Sequence, residues 1–172
     1  MKAAVSALSD DKLKFDIKLT QLVKLFKRGE PFKMSKRAGT FVTLRDLVDQ
    51  VGSDVTRFVM LTRKNDAPLD FDFDRVLEQS RDNPVYYVQY ASARINSVFR
   101  KAKEAGIIFN ENQVSSKTFC KITHDAEIKI AKKLAEWPRL VEISAKTHEP
   151  HRIAFYLYEL ASDFHSLWLS LI

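Results

Sequence analysis

At 172 residues, 45% of them hydrophobic, the chain can bury one sizeable core or a core with a smaller appended unit, which excludes a disordered or fibrous polypeptide. No apolar run approaches the roughly 18 residues of a bilayer span, Asp10 and Asp11 interrupt the start too early for a signal peptide, and the lone Cys120 rules out an internal disulfide, so a soluble cytoplasmic protein with no membrane partner is expected. The formal net charge of +6 is uneven, with +7 in residues 1–45, −4 in 46–82 and +3 in 83–172, the pattern of a site that meets phosphates beside a region that does not.

Residues 14–34 alternate weakly through Phe15, Ile17, Leu19, Val23 and Leu25, with the turn-prone Arg28-Gly29-Glu30-Pro31 between Phe26 and Phe32, which predicts a short β-hairpin. After a loop, Thr43 stands three residues before Asp46, a capping arrangement for a helix with Leu44, Leu47, Val48 and Val51 on one face that ends at Gly52. A second short helix starts at Ser53 or Asp54 and closes in the polar turn Arg63–Pro68. Leu69, Phe71 and Phe73 alternate with aspartates, so an extended segment is expected, with Asp72 or Asp74 capping a helix toward Arg81.

Asn83-Pro84 is a helix-start signature, followed by Val88, Ala91, Ile95, Val98 and Ala102 at helical spacing until Gly106. Residues 107–123 carry little periodicity and several Asn and Ser, and read as a loop. Three amphipathic helices should follow: Asp125–Glu136 with Ile128, Ala131 and Leu134 inward, Pro138–Thr147, and Pro150 to the end with Ile153, Leu157, Leu160, Phe164, Leu167 and Leu171 inward. Their short connections imply antiparallel packing. The fold class expected is therefore mainly α: a short hairpin with small helices, then an incomplete antiparallel helical bundle. Both ends read as cuts, since the last helix is still apolar at Ile172.

The chemistry concentrates in Gly29–Leu44, GEPFKMSKRAGTFVTL. Lys33 and Lys36, three apart, can turn two ammonium groups toward one anion, Met34 offers an apolar anchor and Gly39 a pivot. Such mobile point charges suit a leaving pyrophosphate, whose charge grows in the transition state. The glycine spacing of a P-loop is absent. Asp70, Asp72 and Asp74 imitate the opening of a calcium loop, but Arg75 and Arg81 stand where Gly and Glu are needed; Pro150 separates His148 from His151, and His124 and His165 read as surface or packing residues. No metal site is expected. Tyr86, Tyr87 and Tyr90 with Gln89 and Arg94 form a polar-aromatic patch that could stack on bases and grip phosphate, or line a junction between two domains. Trp137 and Trp168 read as core or buried-edge residues.

Lys33-Met-Ser-Lys-Arg37 resembles the KMSKS signature of class I aminoacyl-tRNA synthetases. The longer run GEPFKMSKRAGTFVTLRDLVDQVGSDVTRFVML, RKNDAPLDFDF and DNPVYYVQYASAR is similar to bacterial arginyl-tRNA synthetases, closely over residues 15–105 and more loosely after Asp125. The resemblance implies an arginine-tRNA ligase that uses ATP with Mg2+ to make arginyl-adenylate and passes arginine to its tRNA. It implies a C-terminal fragment: residues 1–82 as the remnant of the catalytic domain with the KMSK loop and a stem-contact fold, and 83–172 as a truncated DALR-type anticodon-binding bundle.

By position, Lys36 and Lys33 carry the catalytic charge, Lys33, Met34, Ser35 and Lys36 hold the nucleotide, and Tyr87, Gln89, Tyr90 and Arg94 are candidate tRNA contacts. Arg37 replaces the final Ser of the general signature, and Ser92 stands where the arginyl subgroup has His. The HIGH-bearing catalytic half is missing, so the chain alone should be inactive; the full-length enzyme is expected to be a monomer. The alternatives are a non-catalytic tRNA-binding module and a fragment of another class I synthetase such as the cysteinyl enzyme.

Overall fold

Hydrophobic alternation and helical periodicity sort into two packed parts in the computed structural model, which describes residues 1–172 apart from 33, 36, 38, 40, 81, 108–119 and 171–172. The expected hairpin forms as β1 (Val23–Lys27) and β2 (Glu30–Pro31), antiparallel, with Phe26 opposite Pro31 and Lys27 opposite Glu30. Pro31 lies on the edge strand β2, where it need not donate to a ladder. The hairpin is shorter than the alternation suggests. Phe15, Ile17 and Leu19 belong to no strand, and residues 19–21 instead form a strap, with the Gln21 amide donating to the Asn65 carbonyl at 2.7 Å and Asn65 donating back to Leu19 at 2.5 Å. A first helix, α1 (Lys2–Leu8), buries none of its residues and has no amphipathic signal that sequence reading could find.

Helices α2 (Leu44–Val51) and α3 (Ser53–Met60) follow as expected, joined at Gly52. The alternating segment becomes β3 (Leu69–Asp72), which pairs in parallel with β1, Val23 opposite Leu69 and Leu25 opposite Phe71. The sheet order is therefore β2-β1-β3, with α2 and α3 in the crossover between the parallel strands. Phe71 is fully buried at the centre of a core with Leu25, Leu47, Val51, Val59, Leu69, Phe73, Val76 and Val85. The helix expected to run toward Arg81 is only a single 3-10 turn, Arg75–Leu77, and Arg81 lies outside the described residues. Asp74 is too engaged elsewhere to cap it; the Asp72 carboxylate instead accepts from the Asp74 amide at 3.0 Å.

Asn83 caps α4 (Pro84–Glu104) by accepting from the Val85 amide at 3.1 Å, and its own amide group donates to the Val76 and Glu78 carbonyls, welding the helix start onto the core. Helices α5 (Asp125–Ala135), α6 (Trp137–Thr147) and α7 (His151–Ser170) lie close to the expected bounds. The loop residues Asn110, Asn112, Ser115 and Ser116 lie outside the described residues, as does Leu171. Lys129 pairs with Asp163 at 2.7 Å, Lys133 with Glu159, and the Tyr156 hydroxyl donates to the Lys133 carbonyl at 2.9 Å, so α5 runs antiparallel to α7. Contacts of α4 with α7 rise together along both helices, from Tyr87 with Tyr158 to Arg94 with Trp168, so this pair runs in the same sense. The inward stripe of α5 is displaced: Leu134 is 53% exposed and Ala131 also faces solvent, because α7 engages the side holding Ile130 and Lys133.

Candidate functional site

The described residues on either side of the basic loop, Phe32 and Thr43, are both held by hydrogen bonds. At the near end, the Phe32 amide donates to the Leu25 carbonyl at 2.8 Å, locking the strand that leads into the loop. At the far end, Thr43 and Asp46 form the reciprocal capping box of α2: the Asp46 amide donates to the Thr43 hydroxyl oxygen at 3.1 Å and the Thr43 amide to the Asp46 carboxylate at 2.8 Å. The Thr43 hydroxyl and then its amide, both donating to Asp46, hold that carboxyl below the usual carboxylate range. The capping box satisfies the Thr43 and Asp46 amides at the start of α2.

Within that loop Met34 is 45% exposed, Ser35 is half-buried and Arg37 is exposed. Gly39 has φ of +69° with open space around its α-carbon, a left-handed position that suits glycine. Lys33 and Lys36 lie outside the described residues.

The second candidate surface is a cleft of about 280 Å³ between α4 and α7, lined by Tyr86, Tyr87, Tyr90, Arg94, His165 and Leu169 among others. Helical spacing puts Tyr86, Tyr87, Tyr90 and Arg94 within one arc of α4, while Gln89 falls beyond it and is exposed outside the cleft. The Tyr86 and Tyr90 rings stack at 5.9 Å, and Tyr90 stacks in turn on His165 at 5.5 Å. His165 is buried, its ring 4.6 Å from that of Tyr87, so it is a packing residue that shapes the cleft wall.

Arg94 donates to the Tyr90 hydroxyl at 2.6 Å, and its guanidinium lies 4.6 Å from the Tyr90 ring centre and 5.3 Å from that of Trp168. A guanidinium beside ring faces is an arrangement chemically able to meet a phosphate while a base stacks next to it. The α4 side of this cleft is legible in the sequence, but His165 on its other wall is not. The signal lay in the seven-residue spacing of Tyr158 and His165, which puts both on one face of α7.

Among the described residues, no group of three or more His, Cys, Asp or Glu side chains is placed to hold a metal ion, and no helix is long and apolar enough to cross a membrane. His148 caps α6 in a left-handed conformation, φ +53°, and His151 opens α7 with its ring 5.8 Å from that of Phe155. His148 is exposed, and the His151 ring packs beside Phe155.

Residues 88–171 match the DALR anticodon binding domain. The chain is 72% identical over 168 residues to the arginine–tRNA ligase of Ruegeria pomeroyi and 70% identical to that of Cereibacter sphaeroides, in each case over 98% of this chain and 29% of the relative. It thus spans less than a third of the length of the curated relatives it matches. A solved structure from Campylobacter jejuni, provisionally described as an arginyl-tRNA synthetase, superposes with a TM-score of 0.82 at 32% identity, covering 99% of this chain and 36% of that one. In sequence and in backbone, nearly the whole of this chain thus matches one part of arginyl-tRNA synthetases.

Proposed function

We propose that the chain is the part of an arginine–tRNA ligase that supplies the mobile lysine loop and the tRNA-gripping bundle, in a cytoplasmic enzyme that works as a monomer. In this reading residues 1–82 complete a catalytic domain and 83–172 form the anticodon-binding bundle. ATP, accompanied by Mg2+, and arginine bind mainly in a half of the enzyme that this chain does not include. The arginine carboxylate attacks the α-phosphorus of ATP, the bond to the bridging oxygen breaks, and pyrophosphate leaves with the electron pair. Lys36 meets the charge that grows on that leaving group and Lys33 helps hold the phosphates, with Met34 and Ser35 shaping the loop. Adenylate then passes arginine to the 3′ end of the tRNA, which Tyr87, Tyr90 and Arg94 help to hold by stacking and phosphate contact, with Gln89 available at the rim.

The observation that carries this reading is the 72% identity with an arginine–tRNA ligase over 98% of this chain, across the loop and the bundle together. A module that served tRNA affinity alone would not need the loop. The test is a chimera in which this chain replaces the matching stretch of the Ruegeria pomeroyi enzyme. It should charge tRNA with arginine in an ATP-dependent reaction, while the chain alone should charge none. A folded chimera that binds tRNA with steep salt dependence, yet never consumes ATP, would instead support the non-catalytic module.

A further inference from the structure

The turn between β1 and β2 contains a local misfit that another part of the molecule corrects. Arg28 and Gly29 are the two central residues of a two-residue hairpin loop, with φ of +55° and +77°. Two consecutive positive values are the mark of the type I′ turn, whose first central position favours Asn, Asp or Gly because other side chains enter the left-handed region at a cost. Arginine is a poor choice there.

The turn is held from outside, by carboxylates 43 and 46 residues further along the chain: the Arg28 amide donates to Asp74 at 2.6 Å and the Gly29 amide to Asp72 at 3.3 Å. Both aspartates arrive through the parallel pairing of β3 with β1, extended by the Phe73 amide donating to the Phe26 carbonyl at 3.1 Å. The second oxygen of Asp72 is fixed in turn by the Asp74 and Arg75 amides at 3.0 and 3.4 Å. Three residues beyond the turn, Phe32 hands the chain to the lysine loop.

We propose that Asp74, supported by Asp72, is a positioning residue for the lysine loop: it clamps a turn that arginine would otherwise leave loose, and so fixes where the loop leaves the sheet. This rests on the reading of that loop as the one that meets ATP. A displacement of about an ångström at a catalytic group lowers rate by up to about a hundredfold, so a clamp at the loop's base is felt in turnover.

The test uses the chimera, measuring arginine-dependent ATP–pyrophosphate exchange, with Lys36→Ala as the control for the loop itself. Asp74→Ala should lower kcat about tenfold or more, with KM for arginine and the affinity for tRNA unchanged. Asp74→Asn keeps an acceptor oxygen and should recover most of the rate. Adding Arg28→Asn to Asp74→Ala should also recover it, because asparagine tolerates the left-handed turn unaided; a general loss of folding would not be cured in this way. If Lys36→Ala lowers the rate but Asp74→Ala does not, or if neither rescue works, the clamp is overturned while the reading of the loop stands. If Lys36→Ala leaves exchange unchanged, the reading of the loop fails and the clamp fails with it.

Discussion

The sheet-bearing part and the helical part of the molecule are held by different means. In the first, Phe71 is wholly buried among large aliphatic and aromatic neighbours on β1, α2, α3 and the start of α4. In the second, the buried apolar residues are Ala91, Ala154, Tyr156 and Ala161, while Phe155 is 50% and Phe99 58% exposed. Small side chains bring the helices close, and cross-helix polar contacts set their register: Lys129 with Asp163, Lys133 with Glu159, and Tyr156 with the Lys133 carbonyl. The part from which the basic loop leaves is built on a packed core and strand register, and the helical part has a shallower, ring-lined surface.

That contrast predicts unequal responses to mutation. Phe71→Ala should be the most damaging, costing about 3–5 kcal/mol in denaturant unfolding, because it opens a cavity in the only wholly buried large site among the described residues. Thr43→Ala removes the capping box and should cost about 1 kcal/mol. Part of its effect is pH-dependent: Asp46 is held below the ordinary carboxylate value by its bonds from Thr43, so the carboxylate half of the cap contributes above about pH 4 and fades as pH falls through the lowered value. The difference between the variant and the wild type should narrow in acid melts.

In the bundle, Tyr156→Phe should cost about 1 kcal/mol by deleting the bond to Lys133. The pH sign here is opposite. Lys133 is raised above the ordinary lysine value by its bond to Glu159, and burial raises Tyr156. Both contributions are complete below about pH 10 and fade as pH rises through the raised values, so the α5–α7 contact should loosen in alkali. Leu134→Ala, on the exposed side of α5, should change stability by less than about 0.5 kcal/mol. A large loss there would show that this face is covered and would weaken the contrast.

Local signals in the sequence were read well because their partners lie within a few residues: Thr43 with Asp46, Asn83 with Pro84, and the Leu69–Phe73 alternation all correspond to observed elements. What escaped depends on distant partners. Alternation says that β3 has a buried face but not that its edge meets β1, so neither the parallel pair nor the Asp72 and Asp74 contacts to the turn could be foreseen. For the same reason Asp74 looked like a helix cap. In the cleft, α4 periodicity grouped Tyr87, Tyr90 and Arg94, whereas His165 joins them only through a contact 78 residues away in sequence. Gln89 lies off that arc by helical geometry and is exposed.

Lys36→Ala in the chimera is the most direct test of the claim that this chain contributes chemistry as well as tRNA affinity. Arginine-dependent ATP–pyrophosphate exchange should slow by on the order of 2 to 4 kcal/mol of barrier, with tRNA binding unaltered. An exchange rate equal to that of the unmodified chimera would contradict it.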